Sequence, residues 1–247
     1  MSKITTIEEG IRSIYRINEF GDVPAYSVVP CKDGEYTDHL SFSGKLYPIF
    51  NWRGVPAVAS VANTARSGVG SCCSMKISGA ISRDFGLDKF LYKELDTVEW
   101  ALNSTIKHVT AFVNDKTCNA ILRMKNDKVA ILELGACLPN DADEQTRHTA
   151  WGTKGMVSDR VVSEKIRPQA VYLFNNGKTP TTYNDNMSAL YGLNQDDCAK
   201  AVIIASMLLG RVNVEEWANK HNRLVKYIEA IYRSSETGER IDVSEVE

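Results

Sequence analysis

The feature that most constrains the fold is a series of strand-like segments joined by very short links. The segments Lys107–Val113, Asn119–Met124 and Val129–Leu134 are rich in apolar and β-branched residues, as is typical of strands. Only the polar residues Lys125–Lys128 separate the second segment from the third, a link of hairpin length. Parallel neighbours would need a crossover helix between them, for which such links leave no room. We therefore expect an antiparallel sheet in this part of the chain.

Helices and further strands are predicted on both sides of this series. Residues Glu94–Leu102 place Leu95, Val98 and Leu102 at spacings of three and four, the pattern of an amphipathic helix. The other predicted helices are Ile7–Ile17, Asp196–Leu209 and Val214–Ser235, and the other predicted strands are Tyr26–Val29, Lys45–Phe50, His148–Trp151, Met156–Val162, Gln169–Phe174 and Glu239–Val243. The sequence thus predicts an α+β fold, with a large, mostly antiparallel sheet and helices packed on one face.

Glycine and proline residues divide the first part of the chain into short pieces. Gly21, Pro24, Pro30 and Gly34 mark loops between the predicted helix and the short strands that follow it. We expect residues 1–70 to form an N-terminal helix with irregular and strand segments. This portion would pack on a main α+β domain formed by residues 71–247.

The composition excludes several classes of function. The formal net charge is −2 and the Lys and Arg residues are scattered, which gives no electrostatic basis for binding nucleic acid or an anionic membrane. The longest apolar run, Ala201–Leu209, is about half of the ~20 residues that a membrane span requires. The N-terminus shows no apolar segment of signal-peptide length, so we expect a cytoplasmic protein with reduced thiols. The six cysteines form no Cys-x-x-Cys pair, and no metal site is predicted.

A dinucleotide cofactor would need a glycine-rich loop between a strand and a helix, where backbone amides can approach the pyrophosphate. The single candidate is Gly68–Cys73, which has a cysteine in place of the third glycine. Only one apolar stretch, Val55–Ala62, precedes it, too little for the repeated strand–helix units of a Rossmann fold. We interpret the segment as a flexible turn and expect this chain to bind no cofactor by itself.

Three short motifs occur in a characteristic order. Asp96 and Trp100 lie on the predicted helix, Gly152–Gly155 reads Gly-Thr-Lys-Gly, and Ser234–Ile241 reads Ser-Ser-Glu-Thr-Gly-Glu-Arg-Ile. From Asp88 to Val243 this order resembles the C-terminal, non-Rossmann domain of the Gfo/Idh/MocA family of sugar and inositol dehydrogenases. Members of that family carry Gly-x-His-x-x-Asp-x-x-x-Trp-x-x-Gly on the helix, a glycine turn after the hairpin and a closing Ser-x-x-Thr-Gly pattern.

The resemblance also suggests where a reaction would take place. In the family, an aspartate and a histidine four residues later project from this helix, and the histidine is the acid–base group. The matching positions are Lys89 and Lys93. A lysine with an ordinary pKa of about 10.4 is a poor base near neutral pH, although burial lowers that pKa. The alternative, which surface base rates favour, is two exposed lysines beside Asp88 and Glu94.

Two other residues complete the set of catalytic candidates. His148 lies on a strand that leads to Gly152 and could face a cleft, although a histidine on the sheet surface is the more common case. Asp96 is the family's framework carboxylate. The candidate catalytic residues are therefore Lys93, Lys89, His148 and Asp96. The acidic segment Pro139–Glu144 lacks the glycine and distal glutamate of a calcium loop, which favours a solvated turn.

These observations leave three hypotheses for function. We favour an accessory or oligomerising protein of carbohydrate or polyol metabolism that lacks its own NAD-binding domain. Its partners would be further copies of this chain or a full-length dehydrogenase subunit. The second hypothesis is an enzyme that acts on a sugar-like small molecule, with Lys93 as base or Schiff-base amine. The third is a dehydrogenase subunit that uses NAD(P) held by a partner chain.

Overall fold

The computed structural model describes residues 6–140, 142–159, 170–175, 181–184 and 193–245. Among them, the helices are α1 (Ile7–Ile17), α2 (Pro56–Ser67), α3 (Leu87–Leu102), α4 (Gln195–Leu208) and α5 (Val214–Thr237). The strands are β1 (Ser27–Val29), β2 (His39–Phe42), β3 (Lys45–Pro48), β4 (Cys72–Ser82), β5 (Ile106–Val113), β6 (Thr117–Met124), β7 (Val129–Leu138), β8 (Gln145–Gly152), β9 (Gly155–Ser158), β10 (Ala170–Asn175), β11 (Thr181–Asn184) and β12 (Ile241–Asp242). Residues 160–162 and 169, at the ends of two predicted strands, lie outside the described residues.

The chain divides into two compact units. The first comprises Met1–Ala59 and Asp185–Asn222, and the second comprises Ser60–Asn184 and Arg223–Glu247. Among the described helices, none combines the length and the hydropathy that crossing a membrane requires.

The first unit contains a helix pair and a small antiparallel sheet in the order β1-β2-β3. Thr6 caps α1: its hydroxyl accepts from the backbone N–H of Glu9, whose carboxylate accepts from the backbone N–H of Thr6. Gly10 allows α1 to approach α4 closely, because a Cβ there would lie 2.9 Å from Leu193 Cδ1 and 3.3 Å from Ala201 Cβ. This contact explains a glycine inside a helix, where it is otherwise unfavourable.

The second unit is built on a large sheet with the strand order β11-β10-β9-β8-β4-β7-β6-β5-β12. β4 runs parallel to β7, and every other described neighbour in this sheet is antiparallel. α3 packs against β4 and β7. The predicted α+β class and the mostly antiparallel sheet are confirmed.

The central strand of this sheet was not anticipated. The sequence predicted a flexible turn at Gly68–Cys73, but Cys72 begins β4, which pairs with β7 on one side and β8 on the other. Its buried positions Met75, Ile77 and Ile81 alternate with small or polar residues. Gly79 interrupts that alternation, which weakens the period-two signal of a strand.

The segment Val69–Ser71, which precedes β4, packs against the Gly152–Gly155 turn, which joins β8 to β9. The backbone N–H of Thr153 donates to Ser71 O at 3.0 Å, and that of Lys154 donates to Val69 O at 2.9 Å. The Thr153 hydroxyl accepts from the backbone N–H of Ser71 at 3.1 Å. Gly152 permits this approach, because a Cβ on it would lie 2.3 Å from Val69 O.

The serines of the closing motif bond to the backbone of strand β5. Ser234 Oγ accepts from the backbone N–H of Ala111 at 3.0 Å and donates to Glu239 O at 2.6 Å. Ser235 Oγ accepts from the backbone N–H of Val113 at 2.8 Å. The short strand β12 pairs with Val109 and His108 only, so the serines satisfy the next donors along this edge.

Candidate functional site

Two carboxylates from separate elements of the second unit meet at a buried histidine. Glu94 lies on α3, His148 on β8 and Asp159 directly after β9. His148 Nε2 lies 2.9 Å from Glu94 Oε2, and His148 Nδ1 contacts Asp159 Oδ2. Asp159 Oδ1 also accepts from the backbone N–H of His148 at 2.8 Å. The pairing of β8 with β9 therefore fixes Asp159 beside the imidazole.

Burial and charge act in opposite directions on His148. Its side chain is 2% exposed, and burial alone would disfavour the charged imidazole. The carboxylates of Asp159 and Glu94 outweigh that effect and raise the pKa of His148 from 6.5 to about 10. At neutral pH the imidazole is charged, and both ring nitrogens donate.

A second ion pair adjoins the first. Lys93 Nζ lies 2.5 Å from Glu144 Oε1 and 3.6 Å from Glu94 Oε1, and the Lys93 side chain is 12% exposed. Burial opposes ionisation of Glu144, but Lys93, the Thr146 hydroxyl and the charge of His148 hold its pKa below the ordinary value. The Glu144 side chain is 42% exposed, so this pair is the part of the site nearest to solvent.

We call these five residues the charged cluster: Lys93, Glu94, Glu144, His148 and Asp159. With two cations and three carboxylates it carries a formal charge of −1 when all five are ionised. Glu94 Oε1 is buried and has no hydrogen-bond partner among the described residues. The cluster joins α3 to the sheet through ionic contacts. Most of the other buried side chains of α3 are apolar.

The structure brings two of the four candidate residues together. Lys93 and His148 both contact Glu94, through Oε1 and Oε2 respectively. Lys89 lies one turn earlier on α3, is half-buried, and makes no hydrogen bond or ion pair with the cluster as described. Asp96 also lies on α3 and is fully buried. A catalytic role for any of the four stays a prediction.

Lys93 and His148 are both more buried than the surface positions that are most common for lysine and for a histidine on a sheet. Lys93 is not an exposed surface lysine, and His148 lies on the face of the sheet that α3 covers. Sequence reasoning missed Glu94, Glu144 and Asp159 as their partners. Glu94 was detectable, because it lies four residues from both Phe90 and Val98 and therefore on the apolar stripe of α3.

The arrangement limits the chemistry that His148 can perform. A charged imidazole has no lone pair with which to accept a proton, so it is no general base near neutral pH. Its 2% exposure also keeps a substrate from its ring nitrogens unless a carboxylate moves away. Lys93 and Glu144 are the members that a small molecule could reach.

The solved structures that resemble this chain include dehydrogenases and other oxidoreductases. An oxidoreductase from Agrobacterium radiobacter, in complex with NAD+, L-tartaric acid and magnesium, matches with a TM-score of 0.64 and 14% identity over 97% of this chain and 70% of that one. A putative myo-inositol dehydrogenase from Sinorhizobium meliloti 1021 matches with a TM-score of 0.57 and 17% identity over 96% of this chain and 70% of that one. The fold resembles that of the Gfo/Idh/MocA oxidoreductases.

Further comparisons show that the similarity to known proteins is distant. A probable dehydrogenase from Thermotoga maritima matches with a TM-score of 0.56 and 16% identity over 80% of this chain, which spans 64% of that protein. No protein-family model matches the sequence, and no curated protein matches it. At such identities the likeness concerns the fold alone.

The charge state of His148 can be measured directly. We expect its ring-nitrogen NMR shifts to show a doubly protonated imidazole at neutral pH, with a titration midpoint near 10. His221 serves as the internal control, because burial and the charge of His39 lower its pKa below 6.5. A His148 midpoint near 6.5 would contradict the described contacts with Glu94 and Asp159.

Proposed function

We propose that this chain is an accessory, oligomerising protein of carbohydrate or polyol metabolism, related in fold to the Gfo/Idh/MocA dehydrogenases and without an NAD site of its own. The observation that carries the proposal is the exposed face of the large sheet. This face is the one opposite α3, and on it a set of large apolar side chains lies open to solvent.

We define the open face by Phe112, Ile121, Ile131 and Trp151, which come from β5, β6, β7 and β8. Phe112 is 67% exposed and Ile121 is 55% exposed. Ile121 and Ile131 lie directly opposite each other in the sheet. Phe112, Ile121 and Ile131 come from adjacent strands and form an apolar patch, whereas strand β4 separates Trp151 from them. Exposed apolar patches typically mark association sites.

The charges on the open face suit a second copy of the same chain. Lys76 lies opposite Ile131 in the β4–β7 pairing, and its Nζ is 2.8 Å from Glu133 Oε1. A patch that carries both signs of charge around an apolar centre can pair with itself about a two-fold axis, each cation meeting the other copy's carboxylate. We therefore propose a homo-oligomer as the basic assembly, with a full-length dehydrogenase as a further partner.

Two observations support the accessory role over catalysis by this chain alone. Both nitrogens of His148 are bound to carboxylates, and the family's acid–base position holds Lys93 in an ion pair. The packing around the glycine segment before β4 also supports a chain that holds no nucleotide there, because Thr153 and Lys154 lie close beside Gly70. A Cβ on Gly70 would lie 2.7 Å from Thr153 Oγ1 and 2.9 Å from Lys154 Cγ.

A second candidate function rests on the Lys93–Glu144 pair, the part of the charged cluster that a small molecule can reach. The Lys93 side chain is 12% exposed and the Glu144 side chain is 42% exposed. A sugar hydroxyl can donate to a carboxylate such as that of Glu144 and accept from an ammonium group such as that of Lys93. The pair supports, as the alternative, a sugar-processing enzyme or a dehydrogenase subunit whose cofactor a partner supplies.

The oligomeric state tests the accessory role. We expect the wild-type chain to sediment as a dimer or larger species and the Ile121→Arg variant to sediment as a monomer, because the interface would then bury an unpaired guanidinium. Ile17→Arg is the matched control, since Ile17 is 59% exposed and lies on α1 in the other unit. A monomeric wild type, or equal masses for wild type and Ile121→Arg, would refute the proposed association.

Tryptophan fluorescence separates the second candidate from the first. The accessory role predicts no quenching when NADH is added to the purified chain. Quenching would indicate a nucleotide site that this chain completes by itself. Activity that appears only with an added dehydrogenase subunit, and that Lys93→Ala abolishes, would favour the partner-supplied cofactor.

A further inference from the structure

Two histidines of the first unit lie side by side, although they are far apart in the sequence. His39 begins β2, and His221 lies on α5, in the part of that helix that belongs to the first unit. Their ring centroids are 5.8 Å apart, and the ring planes meet at 75°. Both residues are partly buried. We call these two residues the histidine pair, and no local pattern in the sequence connects them.

The spacing of the histidine pair suits shared coordination of one metal ion. Zinc binds an imidazole nitrogen at about 2.0–2.1 Å, which fixes how far apart two imidazoles on one ion can be. Their ring centres lie roughly 5 Å apart at a tetrahedral angle and roughly 6 Å apart when the rings are on opposite sides of the ion. The separation of 5.8 Å falls between these limits, so one ion can bridge the two rings.

The charge state of His221 also favours a metal. Burial lowers the pKa of His221 below 6.5, the charge of His39 adds to this effect, and the Glu35 carboxylate opposes it. Near neutral pH the His221 ring is therefore neutral, and a neutral imidazole keeps a lone pair on one nitrogen.

The carboxylate that acts on His221 is held in place by its own loop. The backbone N–H of Lys32 donates to Glu35 Oε2 at 2.9 Å, and Cys31 Sγ donates to Glu35 O at 3.1 Å. Because Glu35 is fixed near the histidine pair, its negative charge favours a cation there.

The number and type of ligands restrict the choice of metal. Among the described residues, no group of three or more histidine, cysteine, aspartate or glutamate side chains could hold a metal ion. A metal at the histidine pair would therefore have two protein ligands, and water would complete its coordination. Imidazole suits zinc, nickel and copper, whereas magnesium and calcium prefer oxygen ligands.

We propose that His39 and His221 together bind one divalent transition-metal ion of the zinc and nickel class, which fastens β2 to α5. Because the two ligands come from separate elements of the first unit, binding would stabilise that unit against unfolding. The site is separate from the charged cluster and from the open face, which belong to the second unit.

Calorimetric titration of the full, metal-free chain with nickel chloride tests the site, with magnesium chloride as the comparison. We expect nickel to bind and magnesium not to bind. His221→Phe keeps a ring at the edge-to-face contact and removes the ligating nitrogen. It should weaken nickel binding by more than about tenfold, since loss of even an outer-shell partner of a metal costs that much. His39→Phe should have the same effect.

His108→Phe is the matched control, because it removes a histidine of the second unit that faces Asp242. It should leave nickel binding unchanged. Nickel should also raise the melting temperature of the wild type and of this control, and leave those of His39→Phe and His221→Phe unchanged. Circular dichroism of the metal-free proteins checks that all three variants are folded.

NMR of the wild type locates the ion without any variant, because paramagnetic nickel broadens the signals of nearby protons. Substoichiometric nickel should broaden the ring signals of His39 and His221 before those of His108 and His148. Absence of nickel binding to the folded wild type would overturn the proposal. Earlier broadening at His108 or His148, or unchanged binding by both folded pair variants, would overturn it too.

Discussion

Replacing His148 with alanine is expected to lower the free energy of unfolding by about 3–5 kcal/mol, the largest effect of any single substitution in the charged cluster. The imidazole lies between Glu94 and Asp159, both largely buried. Its removal would leave two carboxylates without the cation that neutralises them. Urea denaturation of the two proteins at neutral pH measures the difference. His108→Ala is the control, because His108 meets a more exposed carboxylate, Asp242, at 3.4 Å and should cost about 1 kcal/mol or less.

The same pair of proteins gives a pH signature with a definite sign. The pKa of His148 is raised from 6.5 to about 10, so its stabilising effect is complete below pH 6.5 and is lost as the pH rises through about 10. The pKa of Glu144 is lowered from 4.5, so its contribution is present above that value and is lost as the pH falls through the lower folded value. The cluster should therefore stabilise the second unit most between about pH 4.5 and 6.5. A difference between wild type and His148→Ala that stays constant from neutral to alkaline pH would contradict this account.

Gly152→Ala is expected to destabilise the protein by about 3 kcal/mol, at the upper end for overpacking. An added Cβ would lie 2.3 Å from Val69 O and 2.9 Å from Ser71 O, so backbone would have to move on both sides of the paired turns. The two hydrogen bonds from Thr153 and Lys154 to those carbonyls would lengthen as a result. Thermal unfolding followed by circular dichroism measures the loss.

Gly135→Ala provides the comparison within the same sheet. The nearest atom to a Cβ at Gly135 is Cys137 Sγ at 3.3 Å, a side chain that can turn aside. We expect a change within about 1 kcal/mol for this variant. Equal losses for the two variants would show that the close approach of the turns is not what requires glycine at position 152.

Much of the fold was predictable from local patterns. The links around the β6–β7 hairpin allowed only antiparallel neighbours, and the alternation along β6 marks its buried face with Cys118, Ala120 and Leu122. α3 was predicted too short, because its apolar stripe begins at Leu87 and Phe90, ahead of the expected start at Glu94. β4 was not predicted, because its partners β7 and β8 lie far along the chain and because Gly79 interrupts its alternation of apolar and polar residues.

The charged cluster was only partly predictable, for a physical reason. Lys93 was identified through a motif and His148 through its position before Gly152, but nothing local connects them. Their contact depends on Glu94, whose two carboxylate oxygens face different elements. Asp159 joins the cluster because β9 pairs with β8 in a register that the sequence analysis did not predict. Ion pairs between elements that are distant in the sequence depend on the tertiary arrangement, so local sequence patterns do not predict them.

The division of the first unit between two segments has a consequence for biosynthesis. α1 packs against α4, yet Ile17 ends the first helix and Gln195 begins the second, so the ribosome completes one long before its partner. The strands β4 to β9, together with α3, lie between them in the sequence, from Cys72 to Ser158. Their pairing can begin during translation, while the apolar face of α1 around Ile11 still lacks the contact that buries it. We therefore expect a chaperone to shield the apolar face of α1 until α4 has been synthesised.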